Sequence, residues 1–168
     1  MAFSKWFFLA SFVLVAVQAH TLQRRSPFHF QYKNKLYYIE TFYKATFYKA
    51  FMSCSKLGMN LVSIESDDEF DKLHEFIKTN TKYEHGMAFW TSAAAMEPLQ
   101  FHWMLSGYPV GLASKWLPGE PNNKQGNEYC MHLWVHNKKL VMNDESCTTQ
   151  AFYICEQPKL VTSSDIRR

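Results

Sequence analysis

Apolar and polar positions along this chain follow two rhythms, and the change between them falls near Lys82. Phe28, Phe30 and Tyr32 occupy every second position, the period of a strand with one buried face. Aromatic residues continue through Tyr37 and Tyr38 to Tyr43. Phe47, Ala50, Phe51 and Cys54 then stand at i, i+3, i+4 and i+7, which predicts a helix. Thr46 can cap that helix, and Gly58 can close it in the left-handed conformation. Asn60-Leu61-Val62-Ser63-Ile64 reads as a short extended piece. Ser66-Asp67-Asp68-Glu69 has the form of a capping box with acids in the first turn of a second helix. Phe70, Leu73 and Ile77 give this helix a buried face, and it ends near Thr79-Asn80.

Beyond Lys82 the helical period is lost. Ala88-Phe89-Trp90-Thr91 and Tyr129 to Val135 are aromatic and β-branched, as strands are. The strand from Cys130 to Val135 reaches a turn at His136-Asn137-Lys138-Lys139 and returns through Leu140-Val141-Met142. Between these strands, residues 111–127 carry Gly, Pro and Asn clusters without periodicity. A loop of that length inside a compact domain is usually functional. Helices early, strands late and no internal repeat predict an α+β domain with an antiparallel sheet.

Composition narrows the setting. With 168 residues, 47% hydrophobic and 17% aromatic, the chain can build one well-packed core. Lys5, the apolar run from Trp6 to Val17 and the small residue Ala19 read as a signal peptide over residues 1–19, cut after Ala19. The apolar run is too short to cross a bilayer, and no later segment qualifies, so no membrane insertion is expected. Residues 20–27 form a flexible leader containing the Arg24-Arg25 pair, residues 28–158 the domain, and residues 159–168 a tail. The expected location is secreted, extracellular. Loss of Lys5 lowers the formal charge by one, from +3 to +2. With no basic stripe either, a nucleic-acid partner is not expected. Cys54, Cys130, Cys147 and Cys155 all lie beyond the leader, and four cysteines in an exported chain imply two disulfides in one of three pairings. No C-x-x-C is present, which argues against a zinc knuckle or a redox motif.

The candidate chemistry lies in oxygen donors. Glu120-Pro121-Asn122-Asn123 falls in the long loop, Glu128 just before Cys130, and Asn143-Asp144-Glu145 just before Cys147. A bridge between Cys130 and Cys147 would bring these acids and amides together. Hard oxygen donors of this kind select calcium over softer metals. Any one of these residues alone would be an ordinary surface side chain; the set is what carries the reading.

The string Trp116-Leu117-Pro118-Gly119-Glu120-Pro121-Asn122-Asn123, followed by Glu128-Tyr129-Cys130, Asn143-Asp144, Cys147 and Cys155-Glu156, resembles the C-type lectin-like family. The resemblance spans roughly Phe28 to Gln157. It implies the C-type lectin-like fold, with two helices, antiparallel sheets, a long loop region and the disulfides Cys54–Cys155 and Cys130–Cys147. It implies a cis peptide before Pro121, the linkage at which cis is least costly. It also implies that Glu120, Asn122, Glu128, Asn143 and Asp144 hold Ca2+ and bind sugar. Calcium accepts about six to eight oxygens, leaving room for two vicinal hydroxyls. The carboxylates accept and the amides donate hydrogen bonds to those hydroxyls. In the family, the order Glu-Pro-Asn resembles that of mannose, fucose and N-acetylglucosamine binders, whereas galactose binders tend to carry Gln-Pro-Asp. The expected partners are therefore glycans with vicinal hydroxyls of mannose type, with oligomerisation left open. This sequence departs from the family at Met142, where Trp is usual, and at Phe89-Trp90-Thr91. Asn123, Tyr129 and the upstream loop Thr91-Ser92-Ala93-Ala94-Ala95 lack the acids of the family's auxiliary calcium site, which is expected to be missing.

Other chemistries find less support. His132, Trp134 and His136 alternate onto one strand face, but a zinc site there lacks a third ligand. His74-Glu75 lacks the second histidine of a metalloprotease helix, and Ser53, Cys54 and Ser55 lack a nucleophile-elbow setting. No enzyme is expected. The competing reading is a domain of the same family that binds a protein or lipid ligand independently of calcium and sugar; a third is a purely structural secreted domain.

Overall fold

The aromatic alternation at the start of the domain becomes a hairpin in the computed structural model, which describes residues 28–158. The expected signal peptide, dibasic leader and tail lie outside the described residues. Strand β1 (His29–Tyr32) pairs with β2 (Lys35–Ala45), placing Phe30 opposite Tyr37. Helix α1 (Phe47–Lys56), the short β3 (Asn60–Leu61) and helix α2 (Asp67–Asn80) follow. Then come β4 (Ala88–Glu97), β5 (Gln100–Trp103), the long loop, β6 (Cys130–His136), β7 (Lys139–Glu145) and β8 (Ala151–Glu156). The main strand order is β1-β2-β8-β4-β6-β7, with β3 added beside β8 and β5 beside β4.

Three expectations need correction. The sheet is mixed, because β4 and β8 run parallel, with Phe89 beside Phe152 and Trp90 beside Tyr153. That pairing joins segments far apart in sequence, and local periodicity carries no information about it. Residues Thr91 to Ala95 are not a loop but the middle of β4, with Thr91 and Ser92 fully buried. Thr91 donates to the Met131 carbonyl at 2.9 Å, and Ser92 shares a 2.7 Å hydroxyl bond with Ser63. Thr46 occupies the cap position of α1, but its hydroxyl makes no capping bond. The first helical amide, that of Phe47, donates to the Cys147 carbonyl at 3.0 Å, where the second disulfide loop meets the helix start.

Gly58, at φ +67°, ends α1 as expected, its amide donating to the Ser55 carbonyl. In α2 the Ser66 hydroxyl accepts from the Glu69 amide at 3.2 Å, but the Glu69 carboxylate does not turn back to complete the box. It accepts from Lys35 at 3.0 Å, from the Tyr37 hydroxyl at 2.5 Å and from the Glu65 amide at 2.8 Å. Lys35 also lies 2.9 Å from Glu156 at the end of β8. One ammonium thus ties β2, α2 and β8 together at a largely buried point. Burial alone would lower the Lys35 pKa, but Glu156 and Glu69 outweigh it and hold the group above its ordinary value.

Phe70, Leu73 and Ile77 of α2 pack on Phe89, Met131, Leu133, Val135 and Ile154 of the sheet, and Met142 is fully buried in the same core. A second cluster joins Phe47, Ala50 and Cys54 of α1 to Trp90, Cys130 and Cys155. Both disulfides run through it, Cys54–Cys155 over a separation of 101 residues and Cys130–Cys147 over 17. Constraint of the unfolded chain makes the long bridge worth about 4–5 kcal/mol and the short one about 3 kcal/mol.

Candidate functional site

The β6–β7 hairpin turns on Asn137 and Lys138, both at positive φ (47° and 63°), a twist that suits tight hairpins. Register then aligns His132 with Asn143 and Met131 with Asp144. Strand alternation sends Met142 and Asp144 toward the interior and Asn143 and Glu145 to the outer face. Asp144 is fully buried, and the loop arrives on its carboxylate. The Asn122 amide donates to both carboxylate oxygens at 3.1 Å, and the Asn123 amide donates at 2.6 Å. These amides directly follow the Glu120–Pro121 peptide, which is cis.

A second clasp closes the next turn. Asn123, at φ +44°, accepts from the Glu128 amide through Oδ1 at 3.0 Å. Glu128 in return accepts from the Lys124 amide at 2.9 Å. The long loop therefore is not featureless: short 3-10 turns occupy Ala113–Lys115 and Lys124–Gly126.

The acids crowd one another. Glu120 is pushed up to about 7, first by burial, then by a side-chain hydrogen bond to Asp144 and the charges of Asp144 and Glu128, against a hydrogen bond from Asn122 that lowers it. Its Oε2 is buried and has no protein partner. Glu128 is also raised, first by burial and then by Asp144 and Glu145, while the Lys124 amide opposes the shift. On the outer face, the Asn143 side-chain amide donates to Nε2 of His132 at 3.1 Å and to the Asp144 carbonyl. Burial pushes the His132 pKa down to about 3, so the ring is neutral and able to accept that bond.

Glu120, Asn122, Glu128, Asn143 and Asp144 are thus linked around the end of β7. Among the described residues, no three His, Cys, Asp or Glu side chains form a ready-made metal cluster. Asp144 and Glu128 are turned onto backbone amides instead. The donor set nonetheless fits a hard divalent cation: it consists of carboxylates and amides, and it contains a buried carboxylate oxygen that nothing satisfies. His132, expected to be a packed or exposed strand histidine, is packed: it is 4% exposed, and its Nε2 accepts from the Asn143 side chain. That bond follows from its position opposite Asn143 in the hairpin. His132, Trp134 and His136 do share one face, as ring centroids 6.5 Å and 4.5 Å apart show.

Residues 43–157 match the family model described as "Lectin C-type domain". Salivary C-type lectin 2 of Aedes albopictus is 32% identical over 63% of this chain and 73% of its own length. The C-type lectin mannose-binding isoform of Oxyuranus scutellatus is 32% identical over 64% of this chain and 67% of its own. Among solved structures, the mouse scavenger receptor C-type lectin carbohydrate-recognition domain superposes with a TM-score of 0.62 at 26% identity, covering 81% of this chain and 98% of that one.

Proposed function

We propose that this chain, which belongs to the C-type lectin domain family, is a secreted lectin that binds mannose-type glycans with the help of calcium. The family's domains are carbohydrate-recognition and binding modules without enzymatic activity. The single observation that carries the calcium reading is the crowding of Glu120, Glu128 and Asp144, with one buried Glu120 oxygen unpartnered. Ionised, Glu120 would be repelled by the nearby Asp144 and Glu128 charges, and a divalent ion would relieve that repulsion.

Glu120, Asn122, Glu128, Asn143 and Asp144 would hold the ion, which when bound supplies spare coordination for two vicinal hydroxyls. The chain's own residues set the selectivity. Glu120 accepts hydrogen bonds from a hydroxyl and Asn122 donates one, so the pair prefers one arrangement of hydroxyls over its mirror. Asp144 holds the loop backbone in place, and His132 orients Asn143 from the outer face. The Oxyuranus scutellatus relative, named for mannose binding, agrees with the Glu-Pro-Asn order here. The salivary relative supports secretion, as does the apolar leader at residues 1–19.

A calcium-independent reading has two observations in its favour: the Asp144 carboxylate already orders the loop through backbone amides, and no three ligating side chains converge among the described residues. It leaves the Glu120 carboxyl without a purpose. Chromatography on immobilised mannose separates the two. The protein should be retained in calcium and released by chelator; passage through the column in calcium, or retention unchanged by chelator, sinks the proposal.

A further inference from the structure

A cleft of about 210 Å³ opens on the outer face of the β6–β7 hairpin, directly beside Asn143. Its origin lies in strand alternation. β6 sends Met131, Leu133 and Val135 into the core and His132 and Trp134 outward. Trp134 stands opposite Ala88 of β4. Ala88 and Ala151 carry only a methyl group, so a hollow is left beside the indole. Asn143, Glu145 and Gln150 supply polar atoms along the wall.

Four features describe what fits. The Trp134 ring is held in place by His136 at 4.5 Å and His85 at 5.8 Å, and it offers a half-buried aromatic plane. Such planes take the apolar C–H face of a ring whose edge is polar. His132, only 4% exposed, spends Nε2 on Asn143, and its Nδ1 is buried without a protein partner. Neither nitrogen is open to a ligand, so His132 serves the cleft as a wall and as the group that positions Asn143. The volume falls below the roughly 300–1,000 Å³ of drug-sized pockets, which suits one small ring. No lysine or arginine lines the cleft, so an anionic ligand has nothing to pair with.

We propose that this cleft is a second saccharide subsite, holding the sugar unit next to the one at Glu120, Asn122 and Asn143. The inference rests on the calcium-lectin reading, because Asn143 borders both places. Its consequence is that the lectin reads at least a disaccharide, with the terminal unit at the calcium residues and the next unit stacked on Trp134.

Calorimetry in calcium with methyl mannoside and with α-linked mannobiose tests it. Stacking of one ring should give the disaccharide about a three- to tenfold advantage. Trp134→Ala removes the platform, and Ala88→Leu fills the hollow. Each should bring the ratio of the two affinities to about one while leaving methyl mannoside binding as in the wild type. The calcium-induced rise in melting temperature checks that each variant folds; should Trp134→Ala fail to fold, Ala88→Leu decides. A disaccharide advantage that survives both changes, or that the wild type lacks, overturns the subsite alone. Absence of any sugar binding in calcium overturns the lectin reading and the subsite with it.

Discussion

Glu120→Gln should have opposite effects with and without calcium. Burial and its acidic neighbours move the Glu120 pKa from 4.5 to about 7. At about 1.4 kcal/mol per tenfold change, that displacement has an upper bound of about 3 kcal/mol. Solvent screening at this partly exposed carboxyl reduces it to about 1–2 kcal/mol. A folded-state pKa raised above the unfolded one means the fold favours the proton. The associated stability is complete below the unfolded value of 4.5 and is lost as pH rises through about 7. In chelator, therefore, the wild type should weaken between about pH 5 and about pH 8 by about 1–2 kcal/mol more than Glu120→Gln does. In a domain of this size that corresponds to a difference of about 3–8 °C in the change of melting temperature. Calcium reverses the ranking. At a concentration about 100 times Kd, the wild type gains about 2.7 kcal/mol, and the variant, lacking one carboxylate, gains less. Thermal melts of both proteins over that pH range, in calcium and in chelator, measure all of this. Because every other titrating group is common to both proteins, the difference between them isolates Glu120. Parallel pH curves in chelator would refute the crowding argument, and with it the electrostatic case for a cation.

Other outcomes follow from the same contacts. Glu120→Gln combined with Asn122→Asp exchanges acceptor and donor at constant charge, so retention should shift from mannose toward galactose on paired affinity columns, whereas Asp144→Ala should abolish both. Lys35→Ala should cost about 3–5 kcal/mol in urea unfolding, because it leaves Glu69 and Glu156 buried without their cation. His132 titrates in the folded state near 3 rather than 6.5. Its lowered value contributes stability that is present above 6.5 and lost as pH falls toward 3, so His132→Gln should flatten the acid limb of the stability curve.

Local signals in the sequence carried much of the fold. The i, i+3, i+4, i+7 spacing of Phe47, Ala50, Phe51 and Cys54 located α1 because one turn of helix repeats within four residues. Ser66 located the start of α2 for the same reason: its hydroxyl accepts from the Glu69 amide only three residues away. Thr46 holds the cap position of α1 without a capping bond, and the partner of the first helical amide, the Cys147 carbonyl, is distant in sequence. Thr91 to Ala95 were misplaced because small residues in a strand read as a loop when their packing partners are unknown. Those partners, Met131 and Ser63, come from elsewhere in the chain. The parallel β4–β8 pair escaped notice for that reason too.

The candidate site shows the same division. That Glu120, Asn122, Glu128, Asn143 and Asp144 lie together was legible because they come from two short segments with characteristic spacing. What spacing cannot convey is that Asp144 has two tasks. Its buried carboxylate is a candidate ligand, yet both oxygens already accept from the Asn122 and Asn123 amides. A carboxylate has about four acceptor positions, so it can keep these amides while facing a cation. The loop is then held by the same group that would hold the ion. Tightening one contact orients the other, and no separate acid is needed to order the loop. Asn123 and Tyr129 are not acids, and the clasp formed by Asp144 together with the Asn123–Glu128 turn orders this part of the loop through hydrogen bonds alone.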